Sequence, residues 1–322
     1  MDTKPIGETG VRVPPIVFGT SALGDMPATY GYGVDDDRAH ATIEAVLDGP
    51  APALDTSRNY GSGRSEERMG AVLRERGITG AGGGVFLSTK LDRDMETSRF
   101  DADRARRSVE ESLEALGVDS VDLLHLHDPE HARDVGEIER DGGALDELFR
   151  MKEEGLARAV GLAMGPVPLF LRLLKDRPFD AIISHNRYTL LNRNADELFD
   201  ECARRGIAVL NAAPYAGGVL AKGADAMPRV TYQEAGDEAL EPVRRIEAAC
   251  ACHGVAPGAV ALQFSMRDPR VTSTIVGVSK PERVQQTLDW ASAAIPDALW
   301  NELADLPFET ADPEANREYR PG

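Results

Sequence analysis

Four residues in the first half of the chain are of the types that proton exchange with a substrate oxygen requires: Asp55, Tyr60, Lys90 and His127. A phenol alone has a pKa near 10 and exchanges protons poorly at neutral pH. A neighbouring ammonium favours the phenolate and lowers that value. A buried ammonium in turn needs a carboxylate, or it loses its charge. Asp55, Lys90 and Tyr60 therefore form a self-consistent acid/base chain, provided that the fold brings them together. His127 can hydrogen-bond the same substrate oxygen and orient it. Arg58 and Asn59 flank Tyr60 and are candidates for substrate contact.

The elements that would position these residues are readable. Eight short apolar runs recur, at 16–18, 53–54, 85–87, 121–126, 159–160, 181–183, 208–210 and 274–276. Each precedes a loop and then a segment with apolar residues at three-to-four spacing, at 39–47, 65–73, 104–116, 145–154, 167–174, 197–205, 240–251 and 283–293. Short strands alternating with helices predict parallel β/α units. The runs are apolar on both faces, as covered parallel strands should be. Eight units in one chain fit a closed (β/α)8 TIM barrel, read as a single domain over 1–322; an open doubly wound sheet is the alternative. In such a barrel chemistry sits where strands end. Asp55, Lys90, His125, His127, His185, Asn211 and Ser279 all lie at or just past those ends. Residues 4–13 read as a β-hairpin that caps one end. Two long loops, 19–34 and 212–236, are candidates for function.

Composition narrows the partners. The 322 residues carry a formal charge of −18, which argues against nucleic acid or an anionic membrane surface. No apolar run is long enough to span a bilayer. The first ten residues lack the basic-then-apolar pattern of a secretory signal, so a cytoplasmic location is expected. Oligomeric state is not readable. Cys202, Cys250 and Cys252 are not a disulfide framework. Cys250-Ala-Cys252-His253 lacks zinc spacing and falls in a helical stretch, so no metal is expected. Gly80-Ala-Gly-Gly-Gly84 precedes a strand and does not open a helix, so it is not a dinucleotide fingerprint. Trp290 and Trp300 read as packing residues.

The chemistry-bearing segments resemble those of the aldo-keto reductases. DTSRNYG (55–61) resembles the family's Asp-Thr-Ala-x-x-Tyr-Gly, and GRSEERMG resembles the helix start that succeeds it in the family. LSTK carries the lysine. VDLLHLHDP matches Asp-x-x-x-x-His-x-Pro and selects His127 over His125, which is read as structural. RYTLLNR (187–193) is similar to the Tyr-Ser-Leu-Leu segment, and GVSKPERV to the phosphate-binding segment. PIVFGTSALG (15–24) resembles the branch that oxidises sugars at C1, the L-fucose, D-threo-aldose and galactose dehydrogenases with pyridoxal 4-dehydrogenase.

The resemblance implies a nicotinamide cofactor lying extended across the barrel mouth. It implies cofactor contacts from Gly19, Thr20, His185, Tyr215, Gly217, Gly277, Ser279 and Arg283. It implies that Tyr60 exchanges the proton as hydride moves to or from a sugar lactol or a small alcohol or aldehyde. Three positions depart from the family. Ala163 and Met164 stand where Ser-Asn often holds the carboxamide, His185 replaces the usual Gln, and Gly277 replaces a lysine near the 2′-phosphate. Losing that cation weakens discrimination for NADP and makes NAD or dual use plausible. A general NADPH-dependent carbonyl reductase and a nicotinamide-binding regulatory subunit are the alternatives. In the family the tail, here 305–322, folds over the site. It is rich in Glu, Asp and Arg with Phe308 and Tyr319 as its aromatics, which suits a hydroxylated substrate.

Overall fold

A computed structural model describes residues 2–317; Tyr319 lies outside them. The hairpin comes first, with strand β1 (Lys4–Pro5) antiparallel to β2 (Arg12–Val13). Each of the eight predicted apolar runs falls on a strand, with Val85 one residue ahead of its own. They are β3 (Ile16–Gly19), β4 (Ala53–Asp55), β5 (Phe86–Leu91), β6 (Val121–His127), β7 (Ala157–Met164), β8 (Ala181–His185) and β9 (Ala208–Ala212). After a two-stranded excursion, β10 (Arg229–Val230) with β11 (Gln233–Glu234), comes β12 (Val271–Gly277). All eight pair in parallel, and β12 pairs with both β9 and β3, so the sheet closes. The barrel is therefore observed and the open sheet is not. Most of the strands run past the apolar residues into polar ones. Ser88, Thr89 and Lys90 extend β5 and are buried, because in a barrel the strand end is an interior surface.

Two shells of apolar contact organise the molecule. The inner shell fills the barrel with Val17, Ala53, Phe86, Leu123, Ile183 and Leu210, and joins Ile6, Val11 and Val13 of the hairpin in the same cluster. The hairpin is thus a plug for the barrel floor. The outer shell lies between strands and helices and is the larger. Eight helices match the expected positions: Asp36–Leu47, Arg64–Glu75, Ala102–Leu116, Ala144–Glu153, Val167–Leu174, Asp196–Arg205, Asp237–Cys252 and Glu282–Ser292. Several starts obey the capping rule. Asp35 and Asp101 accept from the backbone N–H of Arg38 and Arg104. Helices Pro257–Met266 and Asp297–Ala304 were not anticipated. The first is buried around most of its circumference, so it shows no apolar stripe to read. In helix Asp237–Cys252, Cys250 is buried and Cys252 exposed, so the two thiols face apart.

The two long loops meet over the mouth. The first holds a turn at Ser21–Gly24 and a short helix at Pro27–Tyr30; the second holds Val219–Lys222 and the β10–β11 excursion. Arg229 Nη1 donates to Thr29 O at 3.2 Å, and the Tyr30 and Tyr232 rings meet edge to face at 6.0 Å.

Candidate active site

Register places the chemistry. Asp55 of β4 lies opposite Ser88 of β5. Two residues on, Lys90 lies opposite His125 of β6, and His127 lies two residues beyond that. Alternate side chains share a face, so Asp55, Ser88, Lys90, His125 and His127 all turn into the barrel. His125 sits below the mouth, fully buried, and needs room made for it. A Cβ on Gly161 of β7 would lie 2.7 Å from its ring. Burial pushes the His125 imidazole well below its usual range, so it stays neutral, in keeping with a structural role.

Lys90 is 2% exposed. Its Nζ donates to Asp55 Oδ1 and to Thr56 O, both at 2.6 Å, while Ser88 Oγ donates to Asp55 Oδ2 at 2.8 Å. The loop after β4 then carries Tyr60 over the pair, with Lys90 Nζ 5.0 Å from the ring centroid. Two glycines allow this loop. Gly61 has φ +63°, and a Cβ there would lie 1.9 Å from Gly24 O; a Cβ on Gly24 would meet the Tyr60 carbonyl at 2.8 Å. The Tyr60 and His127 rings stand edge to face, with centroids 5.9 Å apart. The four expected residues do converge.

One expectation is corrected. The sequence predicts a lowered pKa for Tyr60 beside Lys90. Instead burial, reinforced by Asp55, raises it well above the ordinary phenol value. The ammonium is already bonded to Asp55 and Thr56 O, so little of its field is left for the phenol. Tyr60 is a hydrogen-bond donor at neutral pH.

A second carboxylate was missed. Asp92, just past the end of β5, is buried, and its Oδ1 lies 2.6 Å from His127 Nδ1. Asp92 Oδ2 accepts from Ser57 Oγ at 2.7 Å and from Asn59 N at 3.0 Å. Burial opposes charge on both partners, but attraction prevails: the carboxyl is held below its usual range and the imidazole above its own. The only signal was an extra acid in LDRD after the lysine motif.

From this cluster a groove runs past Tyr215 and Gly217 to Ser279 and Arg283, beside the start of helix Glu282–Ser292. Gly19, His185, Tyr215, Gly217, Gly277, Ser279 and Arg283 line it, as does Ala163. Thr20 does not. Its buried hydroxyl donates to Asp55 O at 3.1 Å and lies 2.8 Å from Ser65 Oγ, so it braces the strand that bears Asp55. Met164 is buried away from the groove. Tyr215 meets Trp290 edge to face at 5.9 Å, and Trp290, expected only to pack, also lines the groove. His185 is partly engaged already, with Nδ1 3.4 Å from Glu314 Oε1 in the tail. Glu314 also accepts from Asn186 Nδ2, and Asp312 pairs with Arg187 at 2.6 Å. Burial alone would raise the Glu314 carboxyl, but His185, Arg187 and Arg317 hold it far below its usual range. Phe308 points elsewhere, half exposed under the Arg193 guanidinium. Arg58 turns toward Glu66 and Glu67, whereas Asn59 lines the groove.

Among the described residues, the side chains close enough to share a metal are His40, Glu44 and Glu75 on the outer helices, and Glu44 is already bonded to Arg76. No helix among the described residues is long and apolar enough to cross a membrane.

A closed parallel barrel with an ionic and phenolic cluster at its mouth is an enzyme scaffold, and comparison with known proteins agrees. The aldo/keto reductase family model matches residues 15–306, and the chain belongs to that family. It is 30% identical over 319 residues to D-threo-aldose 1-dehydrogenase from a Pseudomonas species, covering 92% of this chain and 94% of that protein. It is 26% identical to pyridoxal 4-dehydrogenase from Microbacterium luteolum, over 94% and 96%. It is 29% identical to L-galactose dehydrogenase from Arabidopsis thaliana, over 89% and 87%. An aldo-keto reductase from Bacillus halodurans, solved in its holo form, superposes with a TM-score of 0.78 at 21% identity, covering 99% of this chain and 100% of that one. The protein is an NAD(P)-dependent oxidoreductase. The groove suits a dinucleotide: its far end offers a helix N-terminus, the Ser279 hydroxyl and the Arg283 guanidinium, all of which favour phosphate.

Proposed function

We propose that the protein oxidises a sugar lactol, or a closely similar small hydroxy compound, at one carbon, in the manner of an aldose 1-dehydrogenase. The observation that carries this reading is the buried Asp55–Lys90–Tyr60–His127 cluster at the head of the groove. The bound nicotinamide cofactor supplies the acceptor or donor of hydride. Gly19, Gly217, Gly277, Ser279 and Arg283, which line the groove, would hold it, with Tyr215 and His185 lining the same groove. Tyr60 donates a hydrogen bond to the substrate oxygen, favouring the negative charge that grows there during reduction. Lys90, held by Asp55, sits behind Tyr60 with its Nζ against the ring and helps fix the ring's position.

The sugar preference draws on two further observations. Two of the matched relatives, covering 92% and 89% of this chain, are named as sugar dehydrogenases. The substrate end is also built from Tyr30, Tyr232, Asn59 and Arg317, a mixture of ring faces and hydrogen-bonding groups that suits a polyhydroxy ring. The missing lysine at Gly277 and the retained Arg283 favour NAD or dual use. Initial rates over a panel of aldoses with NAD and with NADP test this. Turnover of aldoses exceeding that of simple aromatic aldehydes is expected. Efficient reduction of aromatic aldehydes with NADPH, and none of aldoses with either cofactor, would make it a general carbonyl reductase.

A further inference from the structure

A second cavity, of about 270 Å3, shares no lining residue with the groove. It is bordered by the loop after β8 and by the two helices that sequence did not anticipate, Pro257–Met266 and Asp297–Ala304. Two guanidiniums line it: Arg193, the last residue of RYTLLNR, and Arg267, the residue after helix Pro257–Met266. Apolar walls come from Phe264, Trp300 and Leu303.

Ring faces hold both cations. Arg193 Cζ lies 4.0 Å from the Phe264 ring centroid, 4.8 Å from that of Phe308 and 5.3 Å from that of Tyr188. Arg267 Cζ lies 4.2 Å from the Trp300 centroid. A guanidinium against a ring keeps its N–H donors at its edge, available to an acceptor. Those donors are largely unspent. Among the described residues the Arg193 side chain makes one hydrogen bond, from Nη1 to Asn192 O at 3.1 Å, and neither arginine has a carboxylate within ion-pair range. The one acid lining the cavity, Asp268, is already engaged: it accepts from Arg270 Nε at 3.0 Å, from Arg270 Nη2 at 2.8 Å and from the Tyr188 hydroxyl. Burial acts against the Arg193 charge more strongly than nearby Asp196 and Asp268 favour it, so an anion there would restore what burial costs.

In a chain with a formal charge of −18, a cavity-lining arginine without an acid is informative. Arg229 and Arg317 line the groove and each has a carboxylate partner. Arg283, at the groove's phosphate end, has none among the described residues. Arg193 and Arg267 share that signature. We propose that this cavity is a second ligand site, for a small carboxylate with a flat apolar body. The carboxylate bonds the N–H edges of the two guanidiniums, a charge-assisted pairing of the strong kind. The body lies against Phe264, Trp300 and Leu303. Pockets for drug-sized ligands begin at roughly 300 Å3, so this one suits a single ring. An inorganic anion would leave the apolar walls uncovered.

The site is independent of the hydride-transfer reading, and its test needs no turnover. Calorimetric titration with benzoate should give saturable binding with a dissociation constant on the order of 1 mM or below. Arg193→Gln and Arg267→Gln should each weaken it by roughly tenfold or more, and benzylamine, of the same shape and opposite charge, should not bind. Arg267 is exposed, so its variant keeps the fold and decides the matter alone if Arg193→Gln does not fold. Location is read from the indole N–H signals of the two tryptophans by NMR, assigned with Trp300→Phe. Benzoate should shift the Trp300 signal and leave that of Trp290, which lines the groove, in place. No saturable binding, equal affinity in both variants, equal binding of benzylamine, or a shift confined to Trp290 would each overturn the proposal.

Discussion

On the β4–β6 side of the barrel mouth, polar groups are answered by neighbours in adjoining strands and the loops directly after them. Asp55 meets Lys90, Ser88 meets Asp55, and Asp92 meets His127 and Ser57. On the opposite side, the groups at the end of β8 are answered from far along the chain. His185, Asn186 and Arg187 meet Glu314 and Asp312, more than 120 residues on. The first wall is assembled by the barrel itself and is rigid when the barrel forms. The second is completed only when the tail lies down. In the function proposed above, the chemistry falls on the fixed wall, while His185, a proposed cofactor contact, belongs to the wall that the tail completes.

Substitutions can break this contrast. The largest effect should come from the fixed wall. Tyr60→Phe should lower kcat by ~100-fold or more, while cofactor affinity, read by fluorescence titration, changes little. Gly61→Ala attacks the support of the same wall. The new Cβ collides with Gly24 O, so thermal denaturation should show a loss of about 2 kcal/mol or more. On the other wall, Glu314→Ala should raise KM for substrate or cofactor by roughly tenfold, with a smaller effect on kcat, because the buried Asn186 and Arg187 lose an acceptor. If kcat fell as far as in Tyr60→Phe, the two walls would not be separable.

The smallest effect sharpens the comparison from behind the fixed wall. Glu66 is buried under Thr89, and burial pushes its carboxyl up to about 7. Its folded pKa lies above its unfolded value. The protein is therefore free of penalty below the ordinary carboxylate range and loses stability as pH rises from there toward 7. Glu66→Gln should remove this loss, gaining on the order of 1 kcal/mol at pH 8 relative to pH 5, as measured by urea denaturation at the two pH values.

The same contrast explains what could be read from sequence. Asp55, Lys90 and His127 end apolar runs, and strand alternation alone turns them inward. The hairpin, the eight strands and their helices emerge from pattern in the same way. Asp92 does not. LDRD alternates charge and looks like a solvated loop. Its burial comes from helix Ala102–Leu116 closing over it, with Ser108 taking its backbone N–H. Thr20 misleads for a related reason: it stands beside Gly19 at a strand end, but its side chain turns outward to Ser65. The phenol's raised pKa was hidden because proximity of Lys90 is visible in the motif, whereas the engagement of its charge is not. Glu314 and Arg187 carry no local pattern at all, since their pairing depends on how the tail is laid.

The plug on the barrel floor has a consequence for how the molecule is made. Lys4 Nζ bonds to Val271 O and Ser273 Oγ to Pro14 O, contacts that span 267 and 259 residues. A ribosome delivers the hairpin long before either partner exists. A segment made before the barrel strands is therefore among the last to find its place, and Ile6, Val11 and Val13 lack their barrel partners until β12 closes the ring. That interval is when nascent chains would be most prone to stick to one another or to be held by a chaperone.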